Sequence, residues 1–358
     1  MTLGRLQSLN NLARTGLSRV ASTVAKPGRK VGYIGWVGHA NLGDEAMADA
    51  AAHLLGQRPE ILSTPRVEQM LAAVRLGGQA RHRRAFVGGG TLINGGYIDL
   101  VERCLDAGVA MATLGTGVGS PGFSAGETAF DPRWTAALNR FDRVGVRGPR
   151  SLAKLHDNGV ARAEVIGDLA LALTPDAPLA SPDARTILFN TSPGQTAQDI
   201  ANLAAFDHAA GQLLGELVAD GWKVMPLAFH ADDHAPIAAV LAAAGMGGAP
   251  IYQPRNFAGY AALARHASVS LSVRLHGSVL ASMCGVANLL VEYRGKCRDF
   301  AESVGTESSL VALDGFSADA MRAQFAALLA DPAGRGRALH AACLRYRTGL
   351  ERYIADLM

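Results

Sequence analysis

Short apolar runs rich in β-forming residues alternate with helical stretches along most of the chain. This alternation is typical of parallel sheets whose faces are covered by helices. The apolar runs predict nine strands, at 31–36, 84–88, 110–114, 142–146, 163–166, 185–190, 222–228, 268–273 and 287–292. Between Leu173 and Ala184, three prolines interrupt the pattern and predict a linker. We therefore expect an α/β protein with two Rossmann-like domains facing a cleft, at 31–175 and 185–316, followed by C-terminal helices at 317–358.

The bulk composition agrees with this architecture and narrows the class of ligand. A chain of 358 residues is long enough for about two domains. Its 49% hydrophobic and 18% charged residues are typical of a compact globular protein. The net charge of +3 is too small to indicate nucleic-acid binding. We therefore expect a small anionic ligand and no nucleic-acid partner.

The cysteines predict neither a zinc site nor a disulfide framework. They are far apart and form no CxxC pair: Cys104, Cys284, Cys297 and Cys343. Such usage fits a reducing compartment, so we expect a cytoplasmic protein without a bound metal. The polar residues that follow the strand at 222–228, which are His230, Asp232, Asp233 and His234, leave open a metal site or a loop of turn-forming residues.

Residues 1–30 form a basic N-terminal extension with six basic residues and no acidic one. Five leucines recur at near-helical spacing: Leu3, Leu6, Leu9, Leu12 and Leu17. Two interpretations stay open, an amphipathic helix in weak peripheral contact with the inner face of a membrane, and a frayed or self-packed extension. We expect no secretory signal and no membrane span, since no apolar run approaches the roughly 18–20 residues that a span needs.

The run Ser272–Gly277 brings an arginine and a histidine to a junction between a strand and a helix. Backbone N–H groups are unpaired at a helix start and the helix dipole is positive there, which favours an anion. Arg274 would bind a phosphate or carboxylate, with His276 beside it. The alternative is a surface arginine followed by a histidine that caps the helix.

A second junction of the same form lies in the other half of the chain, where Arg147 follows the strand at 142–146 and Pro149 opens a helical pattern. Ligands of open α/β sheets bind at the carboxyl ends of the strands. We therefore expect Arg147 and Arg274 to meet in one cleft and to bind a dianionic small molecule, because guanidinium groups match carboxylate and phosphate oxygens.

Two glycine-containing loops also follow strands. In the first, Asn41, Gly43 and Asp44 are either the turn former and cap of a helix or ligand contacts. The spacing matches neither GxGxxG nor a P-loop, so we expect no dinucleotide. The second loop contains three consecutive glycines, Gly88, Gly89 and Gly90, which allow N–H groups to converge on an anion or the chain to pass close to the first loop.

A lysine follows the last of the predicted strands. Lys296 either contacts the charge of the ligand or is a solvated residue at the start of a helix whose apolar face includes Phe300 and Val304.

In order along the chain, these motifs resemble the polysaccharide pyruvyl transferase family: Gly38–Ala46, Val87–Gly90, Val146–Ser151, Gly167–Asp168, Arg274–His276 and Tyr293 with Lys296 and Phe300. The resemblance implies a GT-B type fold, phosphoenolpyruvate as donor and co-substrate, and no cofactor. It also implies a saccharide acceptor, in a cell-surface or exopolysaccharide or its precursor, on which pyruvate becomes a ketal. Whether that acceptor is lipid-linked stays open.

Residue by residue, the resemblance implies that Arg147, Arg274 and Leu275 bind the donor and that His276 is the catalytic acid. The family often has an acidic residue after the first arginine, where this chain has Gly148. We expect neither Asp44 nor Asp168 to replace it. Two other functions stay open, a GT-B glycosyltransferase that uses a nucleotide sugar and a non-catalytic member that binds an anion or a sugar.

Overall fold

The first half of the chain folds around a parallel sheet. The computed structural model describes residues 30–63, 82–119, 130–194 and 196–358. The strands of this sheet are β1 (Lys30–Ile34), β2 (Glu60–Ile61), β3 (His82–Val87), β4 (Gly90–Ile93), β5 (Ala110–Val118), β6 (Arg143–Val146) and β7 (Ala163–Val165). Their spatial order is β2-β1-β3-β5-β6-β7, with β4 paired to β5. The predicted basic extension lies outside the described residues, apart from Lys30, which begins β1.

The second half forms a five-stranded parallel sheet. Its strands are β8 (Thr186–Asn190), β9 (Lys223–Pro226), β10 (Val269–Ser272), β11 (Ala287–Glu292) and β12 (Leu310–Ala312). They lie in the order β12-β11-β10-β8-β9. In both sheets the first strand lies between the second and the third, so strand order reverses at β1 and at β8. The carboxyl ends of strands at such a reversal are where open α/β sheets bind ligands.

Helices cover the faces of both sheets. They are α1 (Leu42–Leu55), α2 (Ile98–Asp106), α3 (Arg133–Leu138), α4 (Pro149–Asp157), α5 (Ala197–Ala219), α6 (His234–Ala243), α7 (Phe257–Ala264), α8 (Leu275–Met283), α9 (Gly295–Val304), α10 (Ala318–Ala330) and α11 (Pro332–Ala355). Several begin at a side-chain cap, as α1 does at Asn41, whose Oδ1 accepts from the Gly43 N–H at 3.0 Å. None of these helices combines the length and apolar character needed to cross a bilayer.

The largest buried apolar cluster joins the two halves of the chain. It contains Leu171 from the short 3₁₀ turn after β7, Leu280 from α8 and Cys343 from α11. The C-terminal helix α11 thus packs against both halves, and Arg347 on it donates to the carbonyl of Thr174 at 2.7 Å. This shared core holds the carboxyl ends of the two sheets against each other across the cleft.

The prediction of two Rossmann-like sheets is confirmed, although the strand list was incomplete. The strands β2, β4 and β12, which have two to four residues each, were not predicted. β5 extends to Val118, beyond its predicted end at residue 114. The apolar pattern ends at residue 114 because Gly115 and Gly117 are poor strand formers. The structure needs glycine at both positions. Gly115 has φ 64°, which favours glycine, and a Cβ on Gly117 would lie 2.6 Å from the Arg147 guanidinium.

Two glycines of α11 allow a matched test of its packing. A Cβ on Gly336 would lie 2.1 Å from the carbonyl oxygen of Gly285, whereas one on Gly349 would meet nothing within 4 Å. We expect Gly336→Ala to lower the free energy of unfolding by about 1–3 kcal/mol, because a backbone contact cannot yield. Gly349→Ala should raise it by about 0.5–1 kcal/mol through helix propensity. Denaturant unfolding measures both, and equal effects of the same sign would contradict the packing described.

Candidate active site at the cleft between the two sheets

A cavity of about 150 Å³ lies between the carboxyl ends of the two sheets. The first half of the chain contributes Asn41, Asp44, Gly90, Thr91 and Arg147. The second half contributes Phe229, Arg274, Leu275, His276, Tyr293 and Lys296. At its edge the Leu42 N–H donates to the carbonyl of Phe229 at 2.9 Å, so the two halves are joined by a backbone hydrogen bond at the site itself.

Three basic side chains of the cavity each meet an aspartate that has no solvent exposure. The pairs are Arg147 with Asp299, Arg274 with Asp233, and His276 with Asp168. A buried carboxylate is stable only when it is paired and hydrogen-bonded. The first and third pairs join one half of the chain to the other, so these contacts fix the cleft as well as the side chains.

Arg147 follows β6 and is almost completely buried at the cavity wall. Its Nε lies 3.4 Å from Oδ2 of Asp299, which belongs to α9 in the other half. The same carboxylate accepts from the backbone N–H groups of Arg150 and Ser151 at 2.9 and 3.2 Å, and so caps α4 from across the cleft. Gly148 permits this approach, since a Cβ there would lie 2.4 Å from Asp299. A carboxylate is therefore present beside Arg147, and it is supplied by Asp299.

Arg274 is held at the start of α8 by two hydrogen-bonded contacts. Its backbone N–H donates to Oδ1 of the buried Asn190, at the end of β8, at 2.9 Å. Its Nε and Nη2 donate to Asp233 at 3.1 and 2.5 Å. A guanidinium has five N–H donors, so this contact with one edge leaves Nη1 for a ligand. The carboxylate of Asp233 therefore orients the Arg274 guanidinium and keeps this positive charge at the cleft.

His276 lies in the first turn of α8, and its side chain reaches Asp168 in the first half of the chain. Its Nε2 is 3.7 Å from Oδ2 of Asp168, an ion-pair distance beyond that of a hydrogen bond. Burial raises the pKa of Asp168, but nearby His276 and Arg147 outweigh it, so the pKa lies below the ordinary range. Gly43 makes room for the imidazole, because a Cβ at that position would lie 2.0 Å from Nδ1.

The acidic residue of the cavity wall is Asp44, in the first turn of α1. Burial raises the pKa of Asp44 to about 6, against the opposing effect of His276 and Lys296. Asp44 therefore exchanges its proton close to neutral pH, which suits a group that takes up or releases protons.

Lys296 contributes a further positive charge on the opposite wall. Its Nζ lies 5.0 Å from the centroid of the Tyr293 ring, within the range of a cation–π contact. This contact directs the lysine along the cavity wall, and its burial is intermediate. Lys296 therefore lines the cavity, and its contact with a ligand stays a prediction.

The sequence model of the polysaccharide pyruvyl transferase family matches residues 41–295, more than half of the chain. The chain belongs to this family. No curated protein matches it. The matched residues include Arg147, Arg274 and His276, together with Asp168 and Asp233. Asp299 lies just beyond the match.

Solved structures of similar fold include epimerases and a trehalose-phosphate synthase. A putative UDP-N-acetylglucosamine 2-epimerase from Listeria monocytogenes has a TM-score of 0.56 at 13% identity, covering 91% of this chain and 97% of that chain. UDP-GlcNAc 2-epimerase from Methanocaldococcus jannaschii has 0.53 at 12%, covering 89% and 99%. An alpha,alpha-trehalose-phosphate synthase (UDP-forming) from Burkholderia xenovorans in complex with glucose-6-phosphate has 0.50 at 18%, covering 82% and 77%. At these identities the likeness shows the fold alone, and it confirms the predicted GT-B type.

The structure places most of the predicted site residues of this pyruvyl transferase family member around one cavity. The structure confirms that Asn41 caps α1, and it also places Asn41 at the cavity wall, while its contact with a ligand stays a prediction. Gly88 and Gly89 do not line the cavity, and their surroundings agree with the other interpretation of the glycine loop, a close passage of the chain. A Cβ on Gly88 would lie 2.1 Å from the Tyr33 ring and one on Gly89 2.2 Å from Met47, so these glycines allow the strand β3 to pass close to β1 and α1.

Sequence reasoning missed the aspartates that hold the basic side chains. Asp233 was assigned to a polar loop or a metal site, and Asp299 was passed over inside a helix. Each is completely buried, and their partners lie 41 and 152 residues away along the chain in Arg274 and Arg147. In the described residues no group of three or more His, Cys, Asp or Glu is placed to hold a metal ion.

Asp44 makes the stability of the protein depend on pH. Its pKa of about 6 exceeds the value of about 3.9 in an unfolded chain, so ionised Asp44 destabilises the fold above pH 6 and stability rises as pH falls towards 4. We expect Asp44→Asn to be more stable than the wild type by about 1–3 kcal/mol at pH 8, with a smaller difference at pH 4.5. Urea unfolding at the two pH values measures this.

The control is Asp49→Asn on the same helix, where the carboxylate pairs with Arg58 on the surface at 3.3 Å. We expect it to change the unfolding free energy by less than about 0.5 kcal/mol at both pH values. An Asp44→Asn protein that is less stable than the wild type at pH 8 would contradict the burial of an ionised carboxylate.

Proposed function

We propose that the protein transfers pyruvate from phosphoenolpyruvate to a saccharide acceptor, where it forms a cyclic ketal. The observation that carries this proposal is the meeting of Arg147 and Arg274, one from each half of the chain, beside His276 in one small cavity. Phosphoenolpyruvate carries a phosphate and a carboxylate on the same carbon, C2, and each matches one guanidinium. The saccharide of a cell-surface or exopolysaccharide, or its precursor, is the acceptor we propose.

Charge and size both support this donor. Three cationic side chains, Arg147, Arg274 and Lys296, line the cavity, and ionised phosphoenolpyruvate carries three negative charges. A nucleotide sugar, the donor of the alternative glycosyltransferase, has a base, a ribose and a diphosphate to accommodate. The cavity of about 150 Å³ is smaller than the roughly 300–1,000 Å³ usual for such ligands.

The first chemical step joins one acceptor hydroxyl to C2 of the donor. His276 gives its proton to C3, which turns the methylene into a methyl group and makes C2 electrophilic. Asp44 takes the proton of the attacking hydroxyl, which it can do above its pKa of about 6. Asp168 touches no reacting atom in this scheme and acts as a positioning residue that stabilises the imidazolium.

The second step releases phosphate and closes the ketal. The bond from C2 to the phosphate oxygen breaks with its electron pair, and the two arginines stabilise the charge that develops there. A second acceptor hydroxyl attacks C2 and returns a proton to His276, while the proton held by Asp44 leaves on the phosphate. The products are the ketal of pyruvate and hydrogen phosphate.

Donor binding is tested first through thermal unfolding. We expect phosphoenolpyruvate to raise the midpoint of the wild type, because a ligand of the native state stabilises it. Arg274→Ala and Arg274→Lys should weaken binding at least about tenfold, since neither keeps the planar guanidinium that Asp233 orients at the cavity. Arg58→Ala is the control, because its side chain is 85% exposed on the surface. An equal response of all four proteins, or stabilisation by UDP-glucose alone, would contradict the proposed donor.

The role of His276 is tested by turnover. We expect His276→Ala to lose about 10²–10⁴-fold in phosphate release with an acceptor found by screening, and to keep its stabilisation by phosphoenolpyruvate. Asp168→Asn should move the alkaline limb of the pH–rate profile to lower pH, because the negative charge beside the imidazolium is gone. A profile that does not move would sink the positioning role of Asp168.

A further inference from the structure

An exposed aromatic stack lies on the loop that leads into the cavity. The rings of Trp36 and His39 are 3.8 Å apart between centroids and 11° from parallel. Trp36 remains 49% exposed, although large apolar side chains in the described residues are mostly buried. One face of the indole is therefore covered by the imidazole while much of the side chain remains open to solvent.

The loop that presents this stack is fixed by its own backbone contacts. The Gly38 N–H donates to Oε1 of Glu45 in α1 at 2.8 Å, and the Gly35 N–H donates to Oγ of Ser63 at 2.7 Å. Ala40 has φ 55°, the left-handed conformation that non-glycine residues adopt rarely. Strained backbone of this kind persists where the surrounding structure holds it, often at binding sites. The platform is thus preorganised rather than a loose surface side chain.

The stack lies on the loop between β1 and α1, at the carboxyl edge of the first sheet, where the proposed donor cavity also lies. Asn41, two residues after His39, and Asp44 both line the cavity. From the other half of the chain, Phe229 lines the cavity and is followed by His230, which is near enough to lower the pKa of His39. The short chain distance from His39 to Asn41 therefore places the stacked rings beside the site.

The chemistry of the stack differs from that of the cavity. The cavity is lined by Arg147, Arg274 and Lys296 and suits an anion. Burial and the neighbouring His230 lower the pKa of His39, so its ring is neutral at neutral pH and adds no charge to the stack. A flat, uncharged aromatic face bordered by polar groups matches the C–H face and hydroxyl edge of a sugar ring.

We propose that Trp36, backed by His39, is the platform on which a pyranose ring of the saccharide acceptor stacks. This inference rests on the proposed pyruvyl transfer and names its acceptor subsite. A ring on this platform would have hydroxyls pointing towards Asp44 and the donor at the mouth of the cavity. Trp36 is then a residue that determines acceptor binding and leaves donor binding to the arginines.

The indole N–H signals of the protein allow a direct test. The chain has three tryptophans, of which Trp134 is buried and Trp222 lies at the amino end of β9, the opposite edge of its sheet from the cleft. We would label them with ¹⁵N and assign the Trp36 signal by its absence in Trp36→Phe. Methyl glycosides would then be titrated up to about 50 mM, which is roughly ten times a Kd of about 5 mM. The probes are methyl glucoside, galactoside, mannoside and N-acetylmannosaminide, each with and without phosphoenolpyruvate.

We expect at least one glycoside to shift the Trp36 signal while the Trp222 signal stays in place. Sorbitol, a polyol without a ring face, should shift neither. Trp36→Ala should weaken binding of that glycoside by about three- to tenfold, as loss of one aromatic contact does. A Trp36 signal that no glycoside moves, equal shifts of Trp36 and Trp222, or unchanged glycoside binding in Trp36→Ala would each overturn the proposal.

The donor readout separates this inference from the proposed function. Thermal stabilisation of Trp36→Ala by phosphoenolpyruvate should equal that of the wild type, because the residue lies outside the donor cavity. Retained stabilisation without a glycoside response would refute the platform alone. Absence of stabilisation in the wild type would refute the donor, whatever the indole signals show.

Discussion

A charge in the interior of a protein must be paired, and this requirement shapes the cleft. Asp168, Asp233 and Asp299 have no solvent exposure, and each meets a basic side chain at the wall of one cavity. An aspartate left alone there would carry a desolvation penalty of several kcal/mol. Two of the three pairs join opposite halves of the chain, so the halves satisfy each other's buried charges only when the cleft has the observed geometry.

The same contacts give the cavity its chemical character. Arg147 and Arg274 are each oriented by a buried carboxylate and both line the cavity. Glycines make the close approaches possible, since Gly43 leaves space for His276 and Gly148 for Asp299. A preorganised set of positive charges next to an acid and a base is what the proposed pyruvyl transfer would use. The structural pairs and the proposed chemistry therefore depend on the same residues.

The sequence predicts the cationic half of this site well and the acidic half poorly. Arg147 and Arg274 each follow a strand, and parallel strands bring their carboxyl ends to one edge, so local pattern was enough to place both arginines at the cleft. Asp299 lies within α9, on a stretch whose pattern indicates only an amphipathic helix. Its pairing with Arg147, which lies 152 residues away along the chain, depends on how the two halves pack together, and no local signal encodes this packing.

The glycine loop shows a different limit. Gly88, Gly89 and Gly90 are alike in sequence, but the first two serve close packing against Tyr33 and Met47, and only Gly90 lines the cavity. Because glycine has no side chain, it suits both close packing and ligand binding, so the sequence of the loop alone does not separate the two roles.

A crystal structure of the protein grown with phosphoenolpyruvate tests the central claim most directly. We predict the donor in the cavity, bridging Arg147 and Arg274 with C3 towards His276; a donor bound elsewhere, or contacts with one arginine alone, would contradict it.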